Sequence, residues 1–159
     1  MKISLIFKNY FVEIEAKEVE FKEKVFLTGN YEKKREVHNQ KELAPILKKF
    51  GISKINLFDY SFSEQLYILH KVKLIISIHG DDLACINFMK KGTSVLELIK
   101  TETNELDRPD YKFLSMASSL NIKYYYQFCK PVTNHDNGKL SKIIVDPNVL
   151  ESNINKILS

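Results

Sequence analysis

The sequence predicts an α/β fold of the Rossmann-like type, with a mostly parallel sheet and helices on both of its faces. Short runs of branched apolar residues alternate with amphipathic segments of roughly ten residues, which is typical of this class. In the clearest unit, an apolar run at 74–78 ends at His79 and Gly80, and a short helical stretch at 83–89 leads to a second apolar run at 94–99. Two strands joined through a crossover helix are expected to pair in parallel, with a right-handed connection.

The composition predicts one domain over residues 1–159. A net charge of +4 is spread over lysine-rich segments, so we do not expect a nucleic-acid partner. Cys85 and Cys129 lie in apolar surroundings without a metal-binding or redox spacing, which indicates buried thiols in a reducing compartment. Because no apolar run approaches the length of a membrane span, the sequence favours a cytoplasmic protein.

The first part of the chain predicts two strands and a connector within residues 1–23. An apolar run at 3–7 and an alternating segment at 12–16 are expected to form an edge hairpin. A buried strand at 25–28 follows, and it ends before a basic loop that contains Arg35. Loops after strands are common ligand sites in this fold class.

Two helices are predicted between this loop and the central unit. Asn39 and Glu42 have the spacing of a capping box, and Gly51 is expected to end the first helix. A strand at 54–58 follows. Ser61 and Glu64 form a second capping-box pattern at the start of the next helix.

The carboxyl end of the central strand is the predicted binding edge. Ligands of open parallel sheets gather where strands end and helix N-termini present unpaired N–H groups. His79 and Gly80 lie at such an end, and Asp81 and Asp82 offer N-cap carboxylates to the helix at 83–89. Taken alone, His79 is equally compatible with merely finishing the strand, and Gly80 with merely permitting a positive φ.

The remaining third predicts further elements of the same kind. They are a loop at 101–107, a helix at 110–120 with Pro109 at its first position, a tyrosine-rich strand at 122–128, a turn at 135–138, a short strand at 143–145 and a terminal helix from Asp146-Pro147 to 158. Tyr124, Tyr125 and Tyr126 should divide between core and surface, as a strand requires.

The order and spacing of several motifs resemble glycosyltransferase family 61. The similarity covers residues 24–126 and leaves 127–159 as a final strand and terminal helix. The matching positions are Arg35, Asn39, Glu42-Leu43, Gly51, Ser61-Phe62-Ser63-Glu64-Gln65, His79-Gly80, Leu83, Phe88-Met89, Gly92 and Val95-Leu96-Glu97.

The resemblance implies the carboxyl-terminal, donor-binding half of a two-domain enzyme of the GT-B type. Members transfer a hexosyl, pentosyl or N-acetylhexosaminyl group from a nucleotide sugar to a glycan acceptor with inversion, in glycan or polysaccharide synthesis. By this resemblance, the expected donor-binding residues are Arg35, Ser61, Glu64, Gln65, His79 and Gly80. The diphosphate would face the N–H groups after Gly80, while Glu64 would accept hydrogen bonds from the ribose.

Simpler roles for some of these residues stay open. Ser61 and Glu64 satisfy a helix end by themselves, and Arg35 in a basic loop is as readily a solvated charge. Gln65, on the first helical turn, carries no information by itself.

The sequence departs from the family pattern at three points. Asp81 and Asp82 stand where small residues are usual, and each carboxylate would repel a diphosphate by about 4 kcal/mol at 4 Å in a partly shielded site. Either Mg²⁺ or Mn²⁺ bridges one of them to phosphate, or the donor site is altered. Gly29 replaces an arginine, and no amino-terminal acceptor domain that would supply a catalytic base is evident.

Two alternatives therefore accompany the glycosyltransferase prediction. One is a degenerate, non-catalytic module that binds a nucleotide sugar or regulates. The other is a metal-dependent hydrolase that uses Asp81, Asp82 and His79 as ligands. A lone GT-B half would expose an apolar face, so a homodimer or a partner acceptor-binding domain is expected.

Overall fold

A computed structural model describes residues 1–7, 10–28, 36–101, 111–132 and 142–159. Five predicted features lie outside these ranges: Gly29, the basic loop with Arg35, the loop at 102–107, Pro109 and the turn at 135–138.

The main sheet confirms the predicted Rossmann-like class. Its strands are β3 Lys24–Leu27, β4 Ser53–Ile55, β5 Leu74–Ile78, β6 Ser94–Lys100, β7 Lys123–Pro131 and β8 Ile143–Ile144. They lie in the order β4-β3-β5-β6-β7-β8, and all neighbours from β4 to β7 pair in parallel. Only the short β8 is antiparallel to its neighbour.

Helices cover both faces of this sheet. They are α1 Gln40–Lys49, α2 Phe62–Lys71, α3 Lys112–Ser119 and α4 Pro147–Leu158, together with two 3₁₀ segments at Leu57–Asp59 and Asp81–Phe88. Buried side chains of α1 and α4 join one apolar cluster, whereas those of α2, α3 and the second 3₁₀ segment join another. The central strand β5 contributes to both clusters and is buried on both sides.

The predicted hairpin is present, but it does not lie at the edge of the main sheet. Strands β1 Lys2–Phe7 and β2 Tyr10–Glu15 pair antiparallel in a two-stranded sheet of their own. Ile3 and Ala16 pack on Leu66 of α2, so the hairpin covers a helix.

The capping box predicted at Asn39 is wrong, although Asn39 is the residue before α1. Its amide donates to the Val145 carbonyl at 2.8 Å and accepts from the Val145 N–H at 3.0 Å. The same amide donates to the Glu42 carboxylate at 3.0 Å, and no side-chain cap bond forms. Asn39 therefore joins the start of α1 to the end of β8.

The helix predicted at 83–89 is a 3₁₀ segment that begins at Asp81. Leu83 N–H donates to the Gly80 carbonyl at 3.0 Å, so the winding starts two residues earlier than expected. Asp81 and Asp82 consequently lie in the first turn and do not cap it. The φ of Gly80 is 164°, which is extended backbone, so the positive-φ explanation for this glycine is wrong.

The remaining boundaries agree more closely with prediction. Helix α3 begins at Lys112, two residues later than expected, and β4 is shorter because the chain turns into the first 3₁₀ segment. Gly51 has the predicted left-handed conformation, with φ 65°. Asp146 caps α4 by accepting from two backbone N–H groups at 2.9 and 3.2 Å.

Candidate functional site

A cleft of about 450 Å³ opens at the carboxyl edge of the sheet, between α2 and the 3₁₀ segment Asp81–Phe88. This is the edge at which open parallel sheets bind their ligands. Its lining residues are Leu27, Asn56, Leu57, Phe58, Phe62, Gln65, Leu66, Leu69, Asp81, Asp82, Ala84, Cys85, Asn87 and Phe88.

The cleft combines apolar walls with a few polar groups, as small-molecule sites usually do. Phe58 and Phe62 are exposed by 62% and 56%, which is unusual for phenylalanine. Gln65 is positioned by a hydrogen bond from its Nε2 to the Tyr60 carbonyl at 2.9 Å. The amide of Asn56 bonds to Asp59 and accepts from the Phe58 N–H. These features suit a ligand with a flat aromatic part and hydrogen-bonding edges.

Asp81 and Asp82 line the cleft, and Asp81 has a cationic neighbour. Lys112 Nζ is 3.9 Å from Asp81 Oδ1, and it also lies 4.6 Å from the centre of the Phe113 ring. Among the residues described, no group of three or more His, Cys, Asp or Glu side chains is placed to hold a metal ion. The two carboxylates alone do not make a metal site, and a metal-binding role for them stays a prediction.

Cys85 lines the same cleft but is not suited to nucleophilic chemistry. Burial raises the pKa of its thiol to about 12, and the Asp82 carboxylate adds to the effect. A thiol in this state is protonated at neutral pH and reacts slowly. Cys85 is therefore not a candidate nucleophile.

Ser61 and Glu64 form the predicted capping box at the start of α2, outside the cleft lining. The Glu64 carboxylate accepts from the Ser61 N–H at 2.9 Å and from its hydroxyl at 2.7 Å, and Lys17 Nζ lies 2.8 Å from the other oxygen. Hydrogen bonds from Lys17 and Ser61 lower the pKa of Glu64 to about 2. The structural role is confirmed, and the donor-binding role of this pair stays a prediction.

A second cluster surrounds His79 on the α3 side of the same edge. Glu97 of β6 is fully buried, and its two oxygens contact His79 Nδ1 and the Tyr124 hydroxyl. The Phe113 ring packs edge-on against the imidazole, with 5.6 Å between centres. Nδ1 of His79 is therefore held by Glu97 and is not offered to a ligand.

The structure brings together only part of the predicted donor-binding set. From that set Gln65 lines the cleft, whereas the side chain of His79 is held by Glu97 and does not line it. The predicted metal ligands Asp81 and Asp82 also line the cleft. The ligand set of the hydrolase alternative, Asp81, Asp82 and His79, is therefore not assembled in the cleft. Gly80 is buried and lies in the chain between His79 and the cleft residues Asp81 and Asp82. Arg35 lies outside the described residues.

Sequence reasoning assigned no role to Glu97, Tyr124, Asn56, Phe58 or Phe62. Glu97 carried a usable signal, because an acidic residue inside an apolar strand must find a buried partner. Phe58 and Phe62 carried no such signal, since the sequence around a single aromatic residue does not show whether its side chain is exposed.

Comparison with known proteins agrees with this architecture. A family model described as Glycosyltransferase 61 matches residues 2–96, which is more than half of the chain. The chain belongs to the glycosyltransferase 61 family. The match includes the capping box of α2, the His79-Gly80 end of β5 and the whole cleft.

Two vertebrate enzymes are similar to part of this chain. The protein O-linked-mannose β-1,4-N-acetylglucosaminyltransferase 2 of Xenopus laevis is 31% identical over 70 residues, and that of Homo sapiens is 26% identical over 70 residues. Each match covers 44% of this chain but only 12% of the relative. The similarity therefore concerns a small part of those enzymes.

Within the described ranges, no helix is both long and apolar enough to cross a lipid bilayer.

Proposed function

We propose that this chain is the donor-binding part of a glycosyltransferase of the GT-B type, which takes a nucleotide sugar for inverting transfer to a glycan acceptor. The observation that carries the proposal is the 450 Å³ cleft at the carboxyl edge of a parallel sheet in a family 61 member. A cleft at this position, with aromatic walls and amide side chains, has the features of a nucleotide site.

In this proposal the nucleobase lies in the cleft. Phe58 and Phe62 offer aromatic faces for stacking, and the amides of Asn56 and Gln65 offer donors and acceptors to the base edge. Base stacking on an aromatic side chain contributes about 1–3 kcal/mol. The same faces accept any base, so the amides would set the choice of base.

The diphosphate would extend from the cleft toward Gly80 and His79. The His79 ring is held there by Glu97 and by Phe113, so it is a fixed part of the edge that the diphosphate would follow. Lys112 lies beside Asp81 and weakens the repulsion between that carboxylate and a phosphate. The diphosphate is therefore expected to pass on the side of the cleft where Lys112 lies.

The acceptor and the catalytic base are assigned to a partner domain or subunit. The relatives are much longer than the part this chain matches, and their names describe N-acetylglucosaminyl transfer to protein O-linked mannose. Nucleotides of N-acetylglucosamine are therefore the first donors to test.

Thermal unfolding with UDP, GDP, CMP and dTDP and their common sugars, with and without Mg²⁺ or Mn²⁺, tests the proposal. A ligand at 100 times its dissociation constant adds about 2.7 kcal/mol, which corresponds to a shift of roughly 5–10 °C in a domain of this size. A shift selective for one base is the expected result. A flat profile with every nucleotide would contradict donor binding, and a shift that needs metal would support the role of Asp81 and Asp82 as ligands.

The carboxylates in the cleft favour one second candidate, a module that binds a nucleotide sugar without turning it over. Asp81 and Asp82 line the cleft where a phosphate would pass. A non-catalytic module would show the base-selective shift and yet transfer no sugar when combined with the partner domain. Transfer in that combination would rule the second candidate out.

A further inference from the structure

The opposite edge of the sheet carries a second concave site. A cleft of about 560 Å³ lies at the amino ends of the central strands, where β5, β6 and β7 begin side by side. The register pairs Leu74 with Ser94 and Ser94 with Lys123, so the residues before these strands form one row. We call this site the basic cleft, and its lining residues are Glu23, His70, Lys71, Val72, Lys73, Lys90, Lys91, Gly92, Thr93, Ser94, Lys123, Ile157 and Leu158.

Positive charge is concentrated in the basic cleft. Five of its lining residues are lysines, and the only carboxylate in the lining is that of Glu23. Glu23 pairs with Lys73 at 2.6 Å. In the part of the chain that the structure covers, the other four lysines, which are Lys71, Lys90, Lys91 and Lys123, make no ion pair with a carboxylate.

Hydrogen bonds of the backbone hold the segments that carry these lysines next to one another. Backbone bonds from Ser94 N–H to the Lys73 carbonyl at 2.9 Å and from Lys123 N–H to the Thr93 carbonyl at 2.8 Å hold the strand starts in place. The Thr93 hydroxyl donates to the Lys90 carbonyl at 2.6 Å and fixes the turn that carries Lys90 and Lys91. Like charges held on a rigid frame repel one another, and a bound anion relieves that repulsion.

His70 reports the electrostatic character of the basic cleft. Its pKa is lowered, first by burial and then by the positive charges of Lys90 and Lys71. The neutral form of the His70 imidazole is thus favoured, because the protonated form would be repelled by the ammonium groups of Lys90 and Lys71. A bound anion would reverse this effect.

We propose that the basic cleft is a binding site for a phosphate-bearing ligand with more than one negative charge, such as a diphosphate or a phosphorylated lipid headgroup. Lysine ammonium groups act as point charges for phosphate and do not require the fixed planar geometry that arginine provides. The concave shape lets several of them surround one ligand. The site faces away from the His79 edge, so it does not depend on donor binding.

The first experiment titrates the chain with inorganic pyrophosphate at low salt. Binding is followed by the heat released in a calorimeter and by the NMR signals of His70. The test variant is Lys90→Ala/Lys91→Ala, and the matched control is Lys41→Ala/Lys48→Ala on α1, which loses the same charge outside the basic cleft. We expect saturable binding that is weakened about tenfold or more in the test variant and unchanged in the control. The pKa of His70 should rise on saturation, and added salt should weaken binding.

Two results would overturn the proposal: no saturable binding at millimolar pyrophosphate, or an equal loss of affinity in test and control variants. A nucleotide-induced rise in melting temperature that survives in Lys90→Ala/Lys91→Ala separates this site from the proposed donor site. Vesicles of phosphatidylcholine with and without a phosphoinositide then distinguish the sources of the ligand. Lysine-dependent capture by the phosphoinositide vesicles identifies a lipid headgroup, and pyrophosphate binding without capture identifies a free ligand.

Discussion

Glu97 is the residue on which the His79 side of the site depends. It lies in β6 among apolar neighbours, is 0% exposed, and places its two carboxylate oxygens against His79 and Tyr124. An acidic group at such depth is stable only with donors that satisfy both oxygens. Those donors come from β7 and from the residue after β5, so Glu97 joins three adjacent strands at the binding edge.

Replacement of Glu97 should be among the most destabilising single changes in this chain. Glu97→Ala removes the common partner of His79 and Tyr124 and leaves a cavity, and each donor left without its acceptor costs about 1–3 kcal/mol. Urea unfolding measures the loss. Glu23→Ala, which removes an exposed ion pair with Lys73, is the control and should cost less than about 1 kcal/mol. Equal, small effects of both changes would contradict the account of Glu97.

The free energy of unfolding should depend on pH in part through the ionisation of Glu64. Its pKa in the folded chain is about 2 and its ordinary value is 4.5. Because the folded chain favours the carboxylate, this group stabilises the fold fully above pH 4.5, and the contribution disappears as the pH falls toward 2. Lys17→Ala should raise the Glu64 pKa, as measured by NMR titration of the side chain.

The matched control is Lys2→Ala, which removes the exposed ion pair with Glu13 at 3.6 Å. A Glu64 pKa that stays near 2 in Lys17→Ala would show that Lys17 is not its main stabilising partner.

The residue-scale predictions succeeded where both partners are close in sequence. Ser61 and Glu64 are three positions apart, and their reciprocal capping was predicted from that spacing alone. Glu97 and Tyr124 are 27 positions apart, and only the parallel pairing of β6 and β7 brings them together. No local pattern encodes that contact.

At the scale of elements, the link between α1 and β8 is a long-range polar contact. Asn39 exchanges two hydrogen bonds with the backbone of Val145, which is 106 positions away. The contact replaces a helix cap at one end of α1 and holds the end of the antiparallel strand β8. This explains why a capping box was expected from the sequence and is absent.

Asn39→Ala should therefore destabilise the fold by about 1–3 kcal/mol, because it leaves the buried N–H and carbonyl of Val145 without partners. Chemical unfolding measures the effect. Asn148→Ala, at an exposed position in α4, is the matched control and should change stability by less than about 0.5 kcal/mol. An Asn39→Ala variant as stable as the control would show that the link is dispensable.

Strands and helices of the central unit were predicted well because their patterns are strong. The run at 74–78 is apolar throughout and appears as β5, buried on both faces. The winding of Asp81–Phe88 was missed, because 3₁₀ and α-helical turns share the same residue preferences over so short a stretch. Likewise, nothing in the local sequence shows that β1 and β2 pack on α2 instead of joining the main sheet.

At the scale of the whole molecule, the two edges of the sheet carry different sites. The carboxyl edge holds the cleft with Phe58 and Phe62, and the amino edge holds the basic cleft. Tyr126 and Phe128 are exposed on β7 in this structure and pack on each other with 5.2 Å between ring centres. The predicted homodimer or partner domain would have this apolar surface to cover.

The location of the cleft was predictable from the fold class, but the full set of side chains that line it was not. His79 and Gly80 were placed correctly at the end of β5, and Gln65, Asp81 and Asp82 do share one cleft. The split between the cleft and the His79 cluster depends on side-chain directions set by Glu97 and Phe113. Such directions follow from packing and cannot be read from sequence spacing.

Whether the cleft binds a nucleobase is tested by titrating the chain with the nucleotide that raises its melting temperature most. The decisive comparison is Phe58→Ala/Phe62→Ala against Tyr126→Ala/Phe128→Ala, since the control pair is similarly exposed, at 54% and 52%, but lies outside the cleft. We expect the dissociation constant to rise about tenfold or more in the cleft variant and to stay unchanged in the control. Nucleotide binding that is absent from the unaltered chain, or that is indifferent to the cleft phenylalanines, would contradict this expectation.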